Sequence, residues 1–360
     1  MKKQLTYPVT HDMDGNKIEE FLRSRGYSKH LIIQLKLSPD GITIGGEKVY
    51  VTHVLKEGEI LTIRLNETDT SENIVPTQMP LDIVYEDEDL FVINKPAGLP
   101  IHPSQGHYDH TLANGMAWYC AQHGEPFVYR AINRLDRDTT GLLILARHSL
   151  SAAILSEMVK NRQIHREYLA VATGKVPESG VIDAPISRVD GSTIERCVDF
   201  DRGEAARTHY RSVFYDPVTN CSLVSLKLET GRTHQIRVHL KYLGHPLPGD
   251  FLYCPDFSLI RRQALHSHKL TFLHPLSGEE MCFLAPLPAD MKAMLPSMIP
   301  QFSTVSAILS DNDFSKLYQP SCSIPESSRQ RRPTPNHFSR SDGALPEADR
   351  YSVFLLLNIW

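Results

Sequence analysis

The chain has 360 residues, 41% of them hydrophobic, and a mean hydropathy of -0.27, which allows two or three domains with ordinary globular cores. The formal charge of -4 is not that of a uniformly basic nucleic-acid binder. No apolar run approaches the length of a membrane span, and MKKQLTYPVTHDMDG has no apolar stretch behind its lysines, so neither a membrane anchor nor a secretory signal is expected. The six cysteines (Cys120, Cys197, Cys221, Cys254, Cys282 and Cys322) lack C-x-x-C spacing, a pattern of reduced thiols in a cytoplasmic protein, with no disulfide framework and no metal site.

Residues 12–65 read as a first unit. Ile18, Phe21 and Leu22 fall at helical spacing before Gly26, and a second helix follows with Ser28 as its N-cap. Short strands joined by Gly turns at Gly45-Gly46 and Gly58 complete the unit. The two helices, the Gly turn bearing a Lys and the closing K-x-G-E-x-L-x-I run resemble the small RNA-binding domain first seen in ribosomal protein S-four of the small subunit. The alternative is a small α+β adaptor with no role on RNA. The polar, aperiodic stretch 66–80 has linker composition, which bounds the first domain at residues 1–70 and the linker at 71–80.

A second unit begins at Leu81. Two strand-like runs flank the acidic turn 86–89, Lys95-Pro96-Ala97-Gly98 forms a loop, and residues 111–124 read as a helix capped by Thr111. The stretch AINRLDRDTTG (131–141) packs two carboxylates, guanidiniums and hydroxyls into a tight loop, and LLILAR (142–147) reads as a buried strand. A helix over 149–163 and a strand over 164–176 follow. Residues 177–205 read as irregular, 208–215 and 221–230 as strands, and 231–240 as a turn into a helix with Thr233 as N-cap. A Pro/Gly loop (244–253), a final strand pair and a short helix close the unit at about residue 298. Many strands with few helices and no repeated βαβ units predict an α+β domain around a mixed or antiparallel sheet over 81–298. The Ser/Pro/Arg-rich remainder, 299–360, reads as a disordered tail, and truncation near Ser297 is expected to leave folding and activity intact.

Three stretches carry the chemistry: INKPAGLPIHPS (93–104), NRLDRDTTGLLILAR (133–147) and LETGRTHQIRVHLKYLGHPLPGD (228–250), with REYLAV (166–171) between the last two. Together they resemble the signature set of the RluA-type pseudouridine synthases, from about residue 81 to 291. The resemblance implies that Asp136 is the catalytic aspartate, that Arg237 pairs with it, and that Tyr168 packs against the target base. It also implies an RNA substrate, ribosomal or transfer, and a reaction that uses no cofactor: uracil is detached from carbon 1′ of its ribose, rotated and rejoined through carbon 5. The residue types suit that task. A carboxylate that attacks the sugar or takes its proton must stay ionised where water is excluded, and a neighbouring guanidinium offsets the burial of its charge.

Arg134, Arg137, Arg166, Arg232, His234, Gln235 and Lys95 are the expected RNA contacts, with His234 and Gln235 also read as bracing the N-terminus of the helix that follows Gly231. Arg134 is either a phosphate contact or the group that fills the gap left by a flipped nucleotide. Arg166 stands where the family usually has Lys, and Asn133 where it usually has His, an Asn being able to preserve the hydrogen bonding. Asp138 and Thr139 are read as tying the loop through side-chain to backbone hydrogen bonds, and Gly98, Gly141 and Gly231 as turn residues. His234 and His239 do not share a helical face and carry no metal reading. The motif segments are locally basic, with seven Lys/Arg against four Asp/Glu over 130–170 and seven against three over 227–269, which supplies a cleft for phosphates despite the net charge. Two other readings stay open: a non-catalytic RNA-binding or ribosome-assembly factor on the same fold, and a hydrolase using Asp136 with Asp138. A monomer is the default expectation.

Overall fold

The computed structural model describes residues 2–67, 71, 73–104, 106 and 108–301, all within one compact unit. Beyond residue 301 the expected tail lies outside the described residues.

The N-terminal elements are β1 (Lys2–Pro8), α1 (Ile18–Ser24), α2 (Lys29–Leu37), β2 (Ile42–Ile44), β3 (Glu47–Lys48) and β4 (Ile60–Asn66), with the strands ordered β1-β4-β2-β3. β1 was not legible in the sequence and pairs with β4 along its whole length, from Lys2 opposite Asn66 to Pro8 opposite Ile60. Ser28 caps α2 by accepting the Leu31 N–H at 3.2 Å. Phe21 and Leu22 of α1, Leu31 and Leu35 of α2, and Leu61 and Ile63 of β4 share one core. Each such side chain contributes roughly 1.5–3 kcal/mol when fully buried.

The larger part comprises β5 (Ile83–Glu86), β6 (Leu90–Lys95), α3 (Leu112–Gln122), β7 (Thr140–Ala146), α4 (Ser149–Lys160), β8 (His165–Thr173), β9 (Ser179–Asp183), β10 (Ile186–Arg188), β11 (Arg196–Val198), β12 (Arg207–Asp216), β13 (Cys221–Leu228), α5 (Gln235–Tyr242), β14 (Leu265–Leu273), β15 (Glu280–Leu284) and α6 (Ala289–Ala293). Among the described residues nine strands form one mixed sheet in the order β5-β6-β7-β14-β8-β13-β12-β9, with β15 beside β14. The β7–β14 pairing is parallel and its neighbours are antiparallel.

Every residue of β7 is buried, as its unbroken apolar run requires. Leu143 and Leu145 face one core with Phe91 and Ile93 of β6, Tyr168 and Ala170 of β8, Met116 of α3, and Ile236 and Leu240 of α5. Leu142 and Ile144 face the opposite core, with Leu155 and Met158 of α4. The period of two along β6, β7 and β8 thus assigns α3 and α5 to one face and α4 to the other. Gly141 lies inside β7 and not in a turn. At φ 108° it passes so close to β14 that a Cβ would sit 2.2 Å from the Ser267 carbonyl oxygen. Only glycine fits there.

α4 is capped by His148, whose Nδ1 accepts the Ser151 N–H at 3.2 Å. The N-terminal sheet rests on this helix: Leu150 joins the N-terminal core, Glu67 accepts the Ser149 N–H at 2.6 Å, and Lys3 of β1 pairs with Asp89. Residues 177–205, expected to be irregular, contain β9, β10 and β11. Their short, half-exposed runs carry little apolar periodicity, and it is the pairing of β9 with β12 and of β10 with β11 that makes them strands. At the C-terminal end, a 3-10 turn (Pro296–Gln301) buries Met298 beside Met291 and Leu295. Ser297 donates its N–H to Asp216 Oδ2 at 2.7 Å. The expected cut at Ser297 therefore falls inside a packed element.

Candidate active site

Asp136 sits on the loop that enters β7. Ile132 N–H donates to the Ile144 carbonyl at 2.9 Å, and the Asn133 side-chain oxygen accepts the Ile144 N–H at 2.9 Å, so the loop is stitched to the strand before it turns. Asn133 is buried, and its Nδ2 has no partner among the described residues. Leu135 anchors in the core shared with Tyr168, and the Thr139 N–H closes a turn on the Asp136 carbonyl at 3.1 Å. With its neighbours held from below, Asp136 keeps a side chain that is 30% exposed.

Arg237 reaches this carboxylate from α5. Its Nη1 donates to Asp136 Oδ2 at 2.8 Å, while Nε and Nη2 donate to the two oxygens of Asp250 at 2.6 and 2.8 Å. The Arg237 side chain is 2% exposed and that of Asp250 is fully buried. Asp250 also accepts the N–H groups of Leu252 and Tyr253, at 3.1 and 3.2 Å. Burial opposes the charge on Arg237, but Asp250 and Asp136 outweigh it and raise its pKa above the usual arginine value. The ring of Tyr253 lies 5.0 Å from the guanidinium carbon and that of Phe251 5.7 Å, so the cation has aromatic faces where it lacks carboxylates. The result is a carboxylate–guanidinium–carboxylate chain with one end buried and the other open. Asp250 was missed as a site residue, although it closes the GHPLPGD run; only its partner across the fold marks it.

Lys95, expected at the RNA surface, is buried at 1% exposure. Its ammonium donates to the carbonyls of Pro96, Leu99 and Arg137 at 2.8, 2.9 and 2.8 Å, tying the Pro/Gly loop after β6 to the Asp136 loop. Burial pulls its pKa down to about 7, with Asp138 and Asp136 opposing.

The helix that follows the Gly231 turn starts at Gln235, and its N-cap is His234, in the left-handed region at φ 59°, not Thr233. Gln235 is buried and braces this turn: its oxygen accepts from Thr230 Oγ1 and the Arg232 N–H, and its nitrogen donates to the Arg207 carbonyl and Thr208 Oγ1. His234 Nε2 lies 3.9 Å from Asp136 Oδ2. Arg232 pairs with Glu204 and donates to the Ala205 carbonyl at 3.1 Å. Arg166 brings its guanidinium against Gly231, 3.6 Å from where a Cβ would stand. Tyr168 lies directly across β14 from the start of β7, since Ser267 is the register partner of both Tyr168 and Gly141.

Arg134 and Arg137 are exposed on the loop. Asp138 pairs with the Arg137 side chain, Nη2 to Oδ2 at 2.9 Å, and Thr139 Oγ1 accepts from Gln263 at 3.3 Å, so both ties run to side chains and not to backbone. Asp136, Arg237 and His234 thus converge, while Gln235 and Lys95 support them from beneath. Among the described residues one group, Asp87, Asp89 and His274, has the spacing of a metal site. It lies at the opposite end of β6, and its carboxylates already engage Lys3, His148 and Tyr85.

The family model described as RNA pseudouridylate synthase matches residues 89–242. The uncharacterized RNA pseudouridine synthase YjbO of Bacillus subtilis is 44% identical over 280 residues, covering 77% of this chain and 98% of its own. The ribosomal large subunit pseudouridine synthase D of Zymomonas mobilis is 39% identical over 238 residues, covering 62% and 74%. Among solved structures, human RNA pseudouridylate synthase domain containing 1 superposes with a TM-score of 0.50 at 26% identity, covering 63% of this chain and 95% of that one. Among the described residues no helix is long and apolar enough to cross a membrane. The matched segment spans the Asp136 loop and the Arg237 helix, and the chain belongs to the RluA-type RNA pseudouridine synthases, isomerases that act on RNA.

Proposed function

We propose that Asp136 is the catalytic carboxylate with which this enzyme converts specific uridines of ribosomal or transfer RNA to pseudouridine. The observation that carries the reading is the buried Asp250–Arg237 pair, which leaves one guanidinium nitrogen for Asp136 at 2.8 Å. Arg237 occupies Oδ2, and Oδ1 is left to attack the ribose or to take its proton. The N1–C1′ bond breaks, the uracil turns, the C5–C1′ bond forms, and the proton lost from C5 is balanced by one gained at N1. Tyr168 packs against the base. Extruding that base from folded RNA costs roughly a few kcal/mol. Arg134, Arg137, Arg166 and Arg232 recover part of it as contacts to the RNA.

Residues 1–70 serve as an RNA-binding domain joined by linker 71–80 to a catalytic domain over 81–298. The enzyme acts as a monomer in the cytoplasm. The relatives named for the large ribosomal subunit make its RNA the first substrate to test. Pseudouridine mapped by carbodiimide treatment and primer extension, in RNA from cells with and without this chain, tests the substrate. Stops that vanish from large-subunit RNA on deletion and return with the wild-type chain support the reading. An unchanged map of both ribosomal and transfer RNA overturns it.

A further inference from the structure

A hydrogen-bonded chain runs from the β10–β11 hairpin through Tyr253 to His234, which stands beside Asp136. The hydroxyl of Tyr253, a residue only 6% exposed, accepts the backbone N–H of Arg196 at 2.9 Å and lies 3.0 Å from His234 Nδ1. A backbone amide can only donate, so the phenol oxygen is the acceptor in the first contact. Burial pushes the phenol pKa up to about 12, so its proton is retained at neutral pH. Among the described residues that buried proton has one acceptor, His234 Nδ1. Nδ1 must then carry a lone pair, and the imidazole is neutral with its hydrogen on Nε2. A doubly protonated ring would set two donors against each other and leave the phenol proton unpaired. Burial lowers the His234 pKa against the opposing pull of Asp136, in keeping with the neutral ring.

The hydrogen so fixed faces the catalytic carboxylate, because Nε2 is 3.9 Å from Asp136 Oδ2, the oxygen that already accepts from Arg237. Oδ1 has no hydrogen-bond partner among the described residues. His234 also holds a costly backbone conformation. Of the three non-glycine residues with positive φ among the described residues, Arg162 and Asn220 are exposed turn residues, whereas His234 lies beside Asp136 with a side chain 12% exposed. Strain retained at such a place points to a constraint other than folding.

We propose that His234 is a positioning residue: its tautomer, set from the Arg196 amide through Tyr253, presents an Nε2–H that holds Asp136 by Oδ2 and leaves Oδ1 to the ribose. This rests on Asp136 as the catalytic carboxylate. The contact is longer than a hydrogen bond in the free enzyme and closes when RNA excludes water from the cleft.

The test uses the full-length protein. Tyr253→Phe keeps the ring beside Arg237 and removes only the hydroxyl. Its kcat on RNA is expected to fall about tenfold with KM within about twofold, because the Nε2–H tautomer that holds Asp136 is no longer fixed while RNA binding is unaffected. His234→Gln, which keeps an N–H donor, is expected to retain more activity than His234→Leu. The independent readout is the 15N spectrum of histidine-labelled enzyme, in which the His234 ring should show the Nε2–H tautomer alone in the wild type and a mixture in Tyr253→Phe. If Tyr253→Phe does not fold, the wild-type spectrum and the His234 pair decide. An Nδ1–H or doubly protonated ring at neutral pH, equal activity of the two His234 variants, or an unchanged kcat in a folded Tyr253→Phe each overturns the proposal. An active Asp136→Asn would instead remove the reading of Asp136, while the tautomer result stands by itself.

Discussion

Arg237 grips Asp250 with two of its nitrogens, at 2.6 and 2.8 Å, and Asp136 with the third, at 2.8 Å. The two carboxylates play unequal parts, since the first is sealed and the second is open. Asp250→Asn leaves the buried guanidinium with the half-open Asp136 as its one carboxylate partner, and breaking a buried pair from one side costs about 3–5 kcal/mol. Chemical denaturation should read a loss of that order. Arg237→Lys keeps the charge but not the fork, and is expected to lower kcat/KM by at least about a hundredfold.

Lys95 separates bracing from RNA binding. Lys95→Met leaves three carbonyls without donors, each a loss of about 1–3 kcal/mol, so the midpoint of thermal unfolding should drop. The dependence of RNA affinity on salt should not change. Arg134→Gln should behave in the opposite way, with unaltered stability and a log–log salt slope reduced by roughly 0.7–0.9. Salt titrations of both variants check the pair.

His266 ties the strand that follows the Asp136 loop to its neighbours: its Nδ1 lies 2.8 Å from Thr140 Oγ1 and its Nε2 3.3 Å from the Ala285 carbonyl. Burial depresses its pKa from 6.5 to about 4. Between those values the unfolded chain binds a proton that the folded chain does not, so stability rises with pH across the window. The contribution is fully present above about 6.5 and is lost as pH falls through about 4, up to about 3 kcal/mol. Denaturation midpoints for the wild type and His266→Gln should converge as the pH is lowered across this window. Parallel curves would contradict the assignment.

The C-terminal boundary can be set by truncation. Ending the chain after Pro296 removes the Ser297 bonds to Asp216 and the buried Met298, and should cost about 2–5 kcal/mol. Ending it after Gln301 keeps both features and should cost less than the shorter cut.

What the sequence revealed followed from how locally each feature is encoded. The caps at Ser28 and Thr111, the alternation in β8 and β13, and the buried run of β7 are written within a few residues of where they act, and each was legible. The Asp136–Arg237 contact joins residues far apart in the chain and was reached only through the resemblance of the motifs. Asp250 escaped because a Pro/Gly loop looks alike whether its Asp faces water or a buried guanidinium. Lys95 misled for the same reason, since a lysine beside Pro and Gly reads as a surface cation until three carbonyls are found around it. β1 and β9 to β11 have short or half-exposed runs whose strand character comes from their partners. Gly141 reads as a turn from sequence, and only the close approach of Ser267 shows why no side chain is allowed.

Tritium release from carbon 5 tests most directly whether Asp136 performs the isomerisation. RNA carrying tritium at carbon 5 of its uridines, taken from cells that lack this chain, would be incubated with the wild-type enzyme and with Asp136→Asn. Release of tritium by the wild type, and none by the Asn variant despite unchanged RNA affinity, is the expected result. Comparable release by both proteins would contradict it.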